Sequence, residues 1–179
     1  MRVVAGRLGG RRLASPPAGA DVRPTADRVR EAIFSILGDI EGARVLDLFC
    51  GTGALGIEAL SRGAAPITLV DTDTEPAQRN AADLGIEEEC EIVRADALRW
   101  LERSDATFDL VFCDPPYRLA DRLEGTLESL IAPRLAEGGR LILETSAREP
   151  LDLALPKLDE RRYGAILVRI HAPTEAEDA

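Results

Sequence analysis

The chain has 179 residues, of which 45% are hydrophobic, a size that suits one domain with a substantial core. Its formal charge is −10, which taken alone argues against nucleic-acid binding, because neutralising phosphates requires positive charge. A single histidine and three cysteines without metal-like spacing exclude a multi-histidine metal site. No run reaches the roughly 18 apolar residues of a membrane helix, and no apolar run follows the early arginines as in a signal peptide. We therefore expect a cytoplasmic protein without metal or membrane association.

Positive charge is concentrated at the amino end of the chain. Residues 1–30 contain seven arginines and two aspartates, a local charge of +5, which leaves −15 for the remainder. Such asymmetry indicates either an arm that binds a polyanion or an arginine-rich solvated surface, and both interpretations are open at this point. If the arm binds RNA phosphates, the candidate residues are Arg2, Arg7, Arg11, Arg12 and Arg28.

The first predicted elements are a small hairpin over residues 1–14, a connector over 15–22 and a helix over 26–37 with Thr25 as its cap. Apolar residues at helical spacing form one stripe of this helix: Val29, Ile33, Ile36 and Leu37. Three residues fall off that stripe, and we expect that they can face something other than the core: Arg28, Arg30 and Phe34.

From residue 44 onwards strands and helices alternate, as is typical of a mostly parallel sheet. Strands are predicted at 45–49, 67–71, 90–94, 108–113, 140–144 and 164–170. Helices are predicted at 54–62, 74–84, 97–103 and 120–132, with a short helical segment near 149–155. We divide the chain into an arginine-rich arm (1–38), an α/β domain (39–171) and a disordered acidic tail (172–179).

Acidic residues end the first three predicted strands. Asp47 precedes the glycine turn of Gly51 and Gly53, and Asp71 and Asp96 end the next two strands. Because the carboxyl ends of parallel strands meet at the ligand-binding edge of a sheet, we expect these carboxylates to line one site. Three acids suit a cofactor without phosphate, and S-adenosylmethionine offers an ammonium, a sulfonium, a ribose and an adenine. The candidate cofactor-binding residues are Asp47, Cys50, Gly51, Gly53, Asp71, Thr72, Asp96, Ala97 and Asp114.

A dinucleotide site is the alternative for the same segment. Gly51, Gly53 and Gly56 satisfy the spacing G-x-G-x-x-G, in which pyrophosphate lies at the beginning of the following helix. A nucleotide-binding dehydrogenase is therefore a rival function, although Asp47 before the glycines favours a cationic group.

The tetrapeptide at 114–117 follows the strand predicted at 108–113. Two prolines cannot continue a central strand, so Asp114 is expected at the ligand-binding edge. A carboxylate, a proline-stiffened carbonyl and an aromatic ring then lie within one turn, and such a set can grip a planar group with an exocyclic amine. The alternative is an ordinary aspartate before a Pro-Pro turn. The candidate catalytic residues are Asp114, Pro115, Pro116 and Tyr117.

Together these segments resemble the class I amino-methyltransferases that act on nucleic-acid bases. Residues 23–37 (RPTADRVREAIFSIL) and 53–64 (GALGIEALSRGA) are similar to the signature of the RsmD-type 16S ribosomal RNA guanine-N2 methyltransferases. The resemblance implies a Rossmann-like sheet of seven strands, mostly parallel with the last antiparallel, and helices on both faces. It also implies S-adenosylmethionine as cofactor, a cytosolic monomer, and the small ribosomal subunit or its assembly intermediate as substrate.

The resemblance gives the tetrapeptide a role. Asp114 and the Pro115 carbonyl would accept hydrogen bonds from the target amine, and Tyr117 would stack on the base. Thr25, Asp27 and Arg28 either close over the cofactor or base, or form a solvated helix face. Adenine-N6 methyltransferases share the tetrapeptide, so they stay an alternative, as does a non-catalytic RNA-binding protein with this fold.

Overall fold

The structure is a computed structural model, and it describes residues 1–15, 27–116 and 125–174. Its strands are β1 (Val45–Leu48), β2 (Ile67–Asp71), β3 (Cys90–Arg94), β4 (Phe108–Cys113), β5 (Leu135–Ser146), β6 (Lys157–Tyr163) and β7 (Ile166–His171). Its α-helices in those ranges are α1 (Asp27–Leu37), α2 (Ala54–Ser61), α3 (Glu75–Leu84), α4 (Ala97–Arg103) and α5 (Thr126–Ile131). The predicted cap Thr25, the beginning of the helix predicted at 120–132, Tyr117 and most of the predicted tail lie outside the described residues.

All seven strands form one sheet in the order β3-β2-β1-β4-β5-β7-β6. Strands β1 to β5 are parallel to one another, whereas β7 runs antiparallel to both β5 and β6. The predicted seven-stranded, mostly parallel sheet with an antiparallel last strand is therefore confirmed. None of the helices within the described ranges has the length and apolar character that crossing a membrane requires.

Side chains that alternate along the strands build two hydrophobic layers. Val45 of β1 belongs to the cluster shared with α1, α2 and α3, and its neighbour Leu46 belongs to the cluster shared with α4 and α5. Because successive strand residues point to opposite faces, both sheet faces are covered by helices.

The carboxy-terminal third differs most from the prediction. Strand β5 begins at Leu135, five residues before the predicted 140, because Gly138 (φ 69°) and Gly139 lie inside a register shift between β4 and β5. Residues 149–155 are irregular instead of helical, and their buried leucines pack into the core. Strand β7 spans Ile166–His171 in place of 164–170, since Gly164 (φ 66°) belongs to the preceding turn. Strand β6 was not predicted from its residues; it is a highly charged edge strand without an apolar alternation.

The predicted outward face of α1 is wrong for two of its three residues. Arg28 is exposed, but Arg30 and Phe34 are buried. The Phe34 ring packs on Phe112 of β4 at 5.6 Å between centroids, and the Arg62 guanidinium lies 4.8 Å above the same ring. Arg30 is buried because it donates to the Arg2 carbonyl of the amino-terminal hairpin, whereas Phe34 is buried because it faces the sheet.

The hairpin of residues 1–14 forms as predicted, with Arg2 and Arg12 opposite each other in an antiparallel bridge. Its backbone is held by the fully buried carboxylate of Glu58 on α2. That carboxylate accepts hydrogen bonds from the Val4 and Ala5 amides and from Arg62 Nε. Burying this charge is tolerable because each donor compensates part of its lost hydration.

We predict that Glu58→Gln lowers the free energy of unfolding by about 2–4 kcal/mol. The uncharged side chain leaves Arg62 without its ion pair. Its NH2 group is also a hydrogen-bond donor placed against the donating backbone amides of the hairpin. The matched control is Glu75→Gln, which removes an exposed pair with Arg79 on α3 and should cost less than about 0.5 kcal/mol. Chemical denaturation measures both, and equal losses would contradict the assigned role of Glu58.

Candidate active site

The ends of four neighbouring strands bring acidic side chains to one edge of the sheet. Leu48 of β1 pairs with Val70 and Cys113, and Cys113 pairs with Leu143. The next residues along β2, β4 and β5 are Asp71, Asp114 and Glu144, and Asp47 lies one position before the end of β1. Strand alternation turns all four to the face that α1 and α2 cover.

The turn after β1 has an unusual backbone. Phe49 (φ 56°), Gly51 (φ 53°) and Gly53 (φ 74°) all adopt left-handed conformations. Glycine does so at little cost, whereas a phenylalanine there is strained and must be held by its surroundings. We call residues 49–53 the glycine loop. Its shape lets the backbone approach a ligand closely at the edge of the sheet.

Two carboxylates hold the glycine loop. Asp71 Oδ2 accepts the Gly51 amide at 2.9 Å, while its Oδ1 accepts the Asp73 amide at 3.0 Å. Asp47 Oδ2 accepts the amide of Gly56, in the first turn of α2, at 2.9 Å. The predicted cofactor acids therefore also build the loop that the cofactor would touch.

Asp47 is buried, and its pKa is raised to about 7. Loss of hydration is the main cause, the Gly56 hydrogen bond opposes it, and the charge of Asp71 adds to it. Near neutral pH this carboxyl can therefore be neutral or anionic, and a nearby cation would favour the anion.

Asp114 is half-buried at the end of β4, and Pro115 behind it is buried. Burial raises the pKa of Asp114 well above its ordinary value, and the charges of Glu144 and Asp47 raise it further. The structure thus places a carboxyl group with a raised pKa where the sequence predicted the catalytic aspartate. Perturbed carboxyl groups of this kind are common at functional sites.

The other predicted cofactor residues are at the same edge or beside it. Asp96 is exposed after β3 and caps α4 by accepting the Arg99 amide at 3.0 Å, and the following Ala97 is buried. Thr72 is exposed, with its hydroxyl 3.3 Å from Asp71 Oδ1. Cys50 is buried in the glycine loop, and burial raises the pKa of its thiol, so this cysteine is not an activated nucleophile.

These residues fit S-adenosylmethionine better than a dinucleotide. The Asp47 carboxyl group lies against the first turn of α2, where a pyrophosphate would need to bind, and in its ionised form it would repel phosphate. A Cβ on Gly56 would lie 2.4 Å from Leu69 Cδ2, so this third glycine serves helix–strand packing. A cationic, phosphate-free ligand would instead compensate the clustered carboxyl groups.

Two structural neighbours of the site were not predicted. Glu144 is buried beside Asp114, and its only sequence signal is a single acid at the end of an apolar strand. Asn80 of α3 is buried and donates to the Thr52 carbonyl of the glycine loop, and an amide within a helix pattern gives no distinct signal.

The predicted RNA-binding arginines differ in their contacts. Arg7 pairs with Glu89, just before β3 begins, and Arg11 donates to the Asp83 carbonyl at the end of α3. Arg2 lies 3.7 Å from Asp27 at the beginning of α1. Arg12 and Arg28 are exposed and form no ion pair with another described residue.

A groove of 740 Å³ lies beside α4 and reaches the candidate site only at Ala95 and Asp96.

Acidic, cysteine and histidine side chains in residues 1–15, 27–116 and 125–174 form no group of three able to hold a metal ion.

The sheet order, the antiparallel β7 and the glycine loop after β1 define a class I methyltransferase, whose cofactor is S-adenosylmethionine. Comparison with known proteins supports this assignment to the methyltransferases. The family model described as "Conserved hypothetical protein 95" matches residues 1–172. The chain belongs to this family, the RsmD-type methyltransferases.

Individual relatives cover much of the chain. "Putative rRNA methyltransferase YlbH" of Bacillus subtilis is 37% identical over 156 residues, which span 83% of this chain and 84% of that protein. "Ribosomal RNA small subunit methyltransferase D" of Escherichia coli is 38% identical over 134 residues, or 73% of this chain and 65% of that protein. The solved structure titled "Putative methyltransferase yhhF from Escherichia coli" has a TM-score of 0.81 at 32% identity and covers 96% of both chains.

We predict that the affinity for S-adenosylhomocysteine, which keeps the amino group, rises as the pH increases from 6 to 8. The pKa of Asp47 is raised to about 7, so its carboxyl is mainly neutral below that pH and gains its charge above it. Asp47→Asn should reduce this rise and weaken binding at pH 8 by about tenfold, a loss of about 1.4 kcal/mol.

Isothermal titration calorimetry measures these affinities. Asp109→Asn is the matched control, because Asp109 lies at the other end of β4 and Arg44 lowers its pKa, which keeps it ionised throughout. A pH dependence that Asp47→Asn leaves unchanged would contradict the electrostatic role of Asp47.

Proposed function

We propose that the protein transfers a methyl group from S-adenosylmethionine to the exocyclic N2 amine of a guanine in 16S ribosomal RNA, within the small subunit or its assembly intermediate. The observation that supports this most directly is the position of Asp114-Pro115-Pro116 beside the carboxyl groups of Asp47 and Glu144. The relatives named as ribosomal RNA methyltransferases support the substrate class. We further propose that the protein acts as a cytoplasmic monomer.

In the proposed mechanism the cofactor supplies a methyl carbon activated by its sulfonium. The amine of guanine is a poor nucleophile, because its lone pair is delocalised into the ring. A cationic cofactor beside Asp114 would favour the ionised form of its carboxyl group despite the raised pKa. The carboxylate of Asp114 and the carbonyl of Pro115 then each accept a hydrogen bond from this amine, which favours a tetrahedral nitrogen and aims its lone pair. Alignment of this kind is the main contribution that the protein makes to the reaction.

Asp114 also responds to the charge that develops on the nitrogen. Its carboxylate offsets this positive charge, and its raised pKa makes it a suitable acceptor for the proton that the nitrogen releases. Tyr117, which lies outside the described residues, is proposed to stack on the base. The target base must leave its stack to reach this edge of the sheet.

We predict that Asp114→Asn lowers methyl transfer by about 10²–10³-fold, because an amide neither offsets positive charge nor accepts the proton. Binding of S-adenosylhomocysteine should be largely retained. Asp105→Asn, an exposed change before β4, is the control and should leave transfer unchanged.

Transfer of tritiated methyl groups to small-subunit particles from cells that lack the enzyme measures this loss, and nucleoside analysis identifies the product. N2-methylguanosine supports the proposal, whereas N6-methyladenosine would select the adenine alternative. Undiminished transfer by Asp114→Asn would refute the role of Asp114. Binding of NAD in place of S-adenosylmethionine would select the dehydrogenase.

We propose that the arm binds RNA phosphates mainly through Arg12 and Arg28, since both are exposed without an ion pair to other described residues. Replacing both with alanine should weaken binding to a small-subunit RNA fragment. The slope of log affinity against log salt should become shallower by about 2.

The matched control for this prediction is the pair Arg7→Ala and Arg11→Ala, which removes the same charge. These side chains already contact Glu89 and the Asp83 carbonyl, so their loss should change the slope less. Fluorescence anisotropy between 50 and 200 mM salt, roughly the range over which phosphate contacts dominate, compares the two pairs. An equal change in both would reject the assignment to Arg12 and Arg28.

A further inference from the structure

One buried side chain connects the hairpin with the glycine loop. Asn80 of α3 is 1% exposed and faces both segments. Its Oδ1 accepts the Ala14 amide at 2.7 Å, and its Nδ2 donates to the Thr52 carbonyl at 2.9 Å. Ala14 lies at the end of the hairpin, and Thr52 lies between the two glycines of the glycine loop.

The chemistry of this position requires an amide. One end of the side chain must accept from a backbone amide while the other donates to a backbone carbonyl. A carboxylate could accept from Ala14 but could not donate to Thr52. A serine or threonine hydroxyl is too short to reach two segments in opposite directions.

The Thr52 carbonyl is an effective point at which to hold the loop. It belongs to the same rigid peptide plane as the Gly53 amide, which donates to the Cys50 carbonyl at 2.8 Å. Fixing this plane restrains Gly53 in its left-handed conformation, a state that a free glycine would exchange for others. The entropy of ordering the loop is then already lost before the cofactor binds.

The Ala14 contact ties this restraint to the hairpin. The Leu13 amide donates to the Met1 carbonyl, and Arg2 lies opposite Arg12, so the base of the hairpin moves as a unit with Ala14. The hairpin is thereby attached to the glycine loop through one side chain. A second attachment to α3, from Arg11 to the Asp83 carbonyl, does not involve the loop.

We propose that Asn80 is a positioning residue through which the seating of the hairpin sets the affinity for S-adenosylmethionine. Asn80 acts through the Thr52 carbonyl and need not touch the cofactor. The inference deepens the proposed function, since it makes the RNA-binding arm a determinant of cofactor binding. By linkage, a ligand that alters the seating of the arm would change cofactor affinity, and the cofactor would change that ligand's affinity equally.

The test measures binding of S-adenosylhomocysteine by calorimetry, together with the melting temperature of each variant. Asn80→Asp keeps the acceptor for Ala14 but loses the donor to Thr52. Ala14→Pro removes the amide donor that the arm contributes and leaves the Asn80 side chain unchanged. We expect affinity losses of about fivefold for Ala14→Pro and about tenfold for Asn80→Asp and Asn80→Ala, as for one or two buried hydrogen bonds.

The double variant distinguishes positioning from general destabilisation. Ala14→Pro should cause no further loss of affinity in the Asn80→Ala background, because the connection is already broken. Arg11→Ala, which removes the other contact of the hairpin with α3, should bind with wild-type affinity. Additive losses, an equal loss in Arg11→Ala, or wild-type affinity in Asn80→Ala with a lowered melting temperature would each overturn the proposal.

This experiment uses no RNA, so its outcome is independent of the identity of the methylated base. If the wild-type protein methylates adenine, the substrate proposal fails and the prediction for Asn80 stands. If Asn80→Ala binds S-adenosylhomocysteine normally, the prediction for Asn80 fails and the substrate proposal is untouched.

Discussion

The structure depends on the carboxylate of Asp47 and its hydrogen bond to the Gly56 amide. This contact joins the end of β1 to the first turn of α2 and so sets the span of the glycine loop between them. The N-terminus of a helix attracts an anion, and here the group at that position is the Asp47 carboxyl of the protein itself. The site consequently has a carboxyl group at the helix N-terminus, the place where phosphate-binding folds of similar topology bind their anionic ligand. That single contact biases the edge of the sheet towards cationic ligands.

The acidic edge also links folding with chemistry. Burial raises the pKa of Asp47 and of Asp114, and the charges of Glu144 and Asp47 raise that of Asp114 further, so ionising these carboxyl groups is unfavourable. A ligand with an ammonium and a sulfonium relieves part of that cost. Asp71 has a different role, since the glycine loop occupies one of its oxygens. The same residue type therefore holds the glycine loop at the end of β2 and provides a carboxyl group with a raised pKa at the end of β4.

The sequence was most informative where local chemistry decides the structure. Strand β2 is an apolar run that ends at Asp71, β3 ends shortly before Asp96, α4 begins directly after that cap, and the glycine loop follows from its glycines. The failures have a tertiary cause. Arg30 is buried against the hairpin, Phe34 is buried against Phe112 of β4, and β6 forms because β7 offers a free edge. The sequence around each of these elements does not show which distant segment packs against it. The contacts of Glu144 and Asn80 could not be predicted for the same reason.

The rigid attachment of the hairpin through Glu58 has an electrostatic consequence. The hairpin's arginines are held on one side of a protein whose remaining charge is strongly negative. Such a separation gives the molecule a permanent dipole moment. A polyanion would exert a torque on that dipole at a distance, and the encounter would begin with the molecule already turned. A polyanion that reaches the hairpin in this way would then meet the acidic edge of the sheet in a fixed orientation.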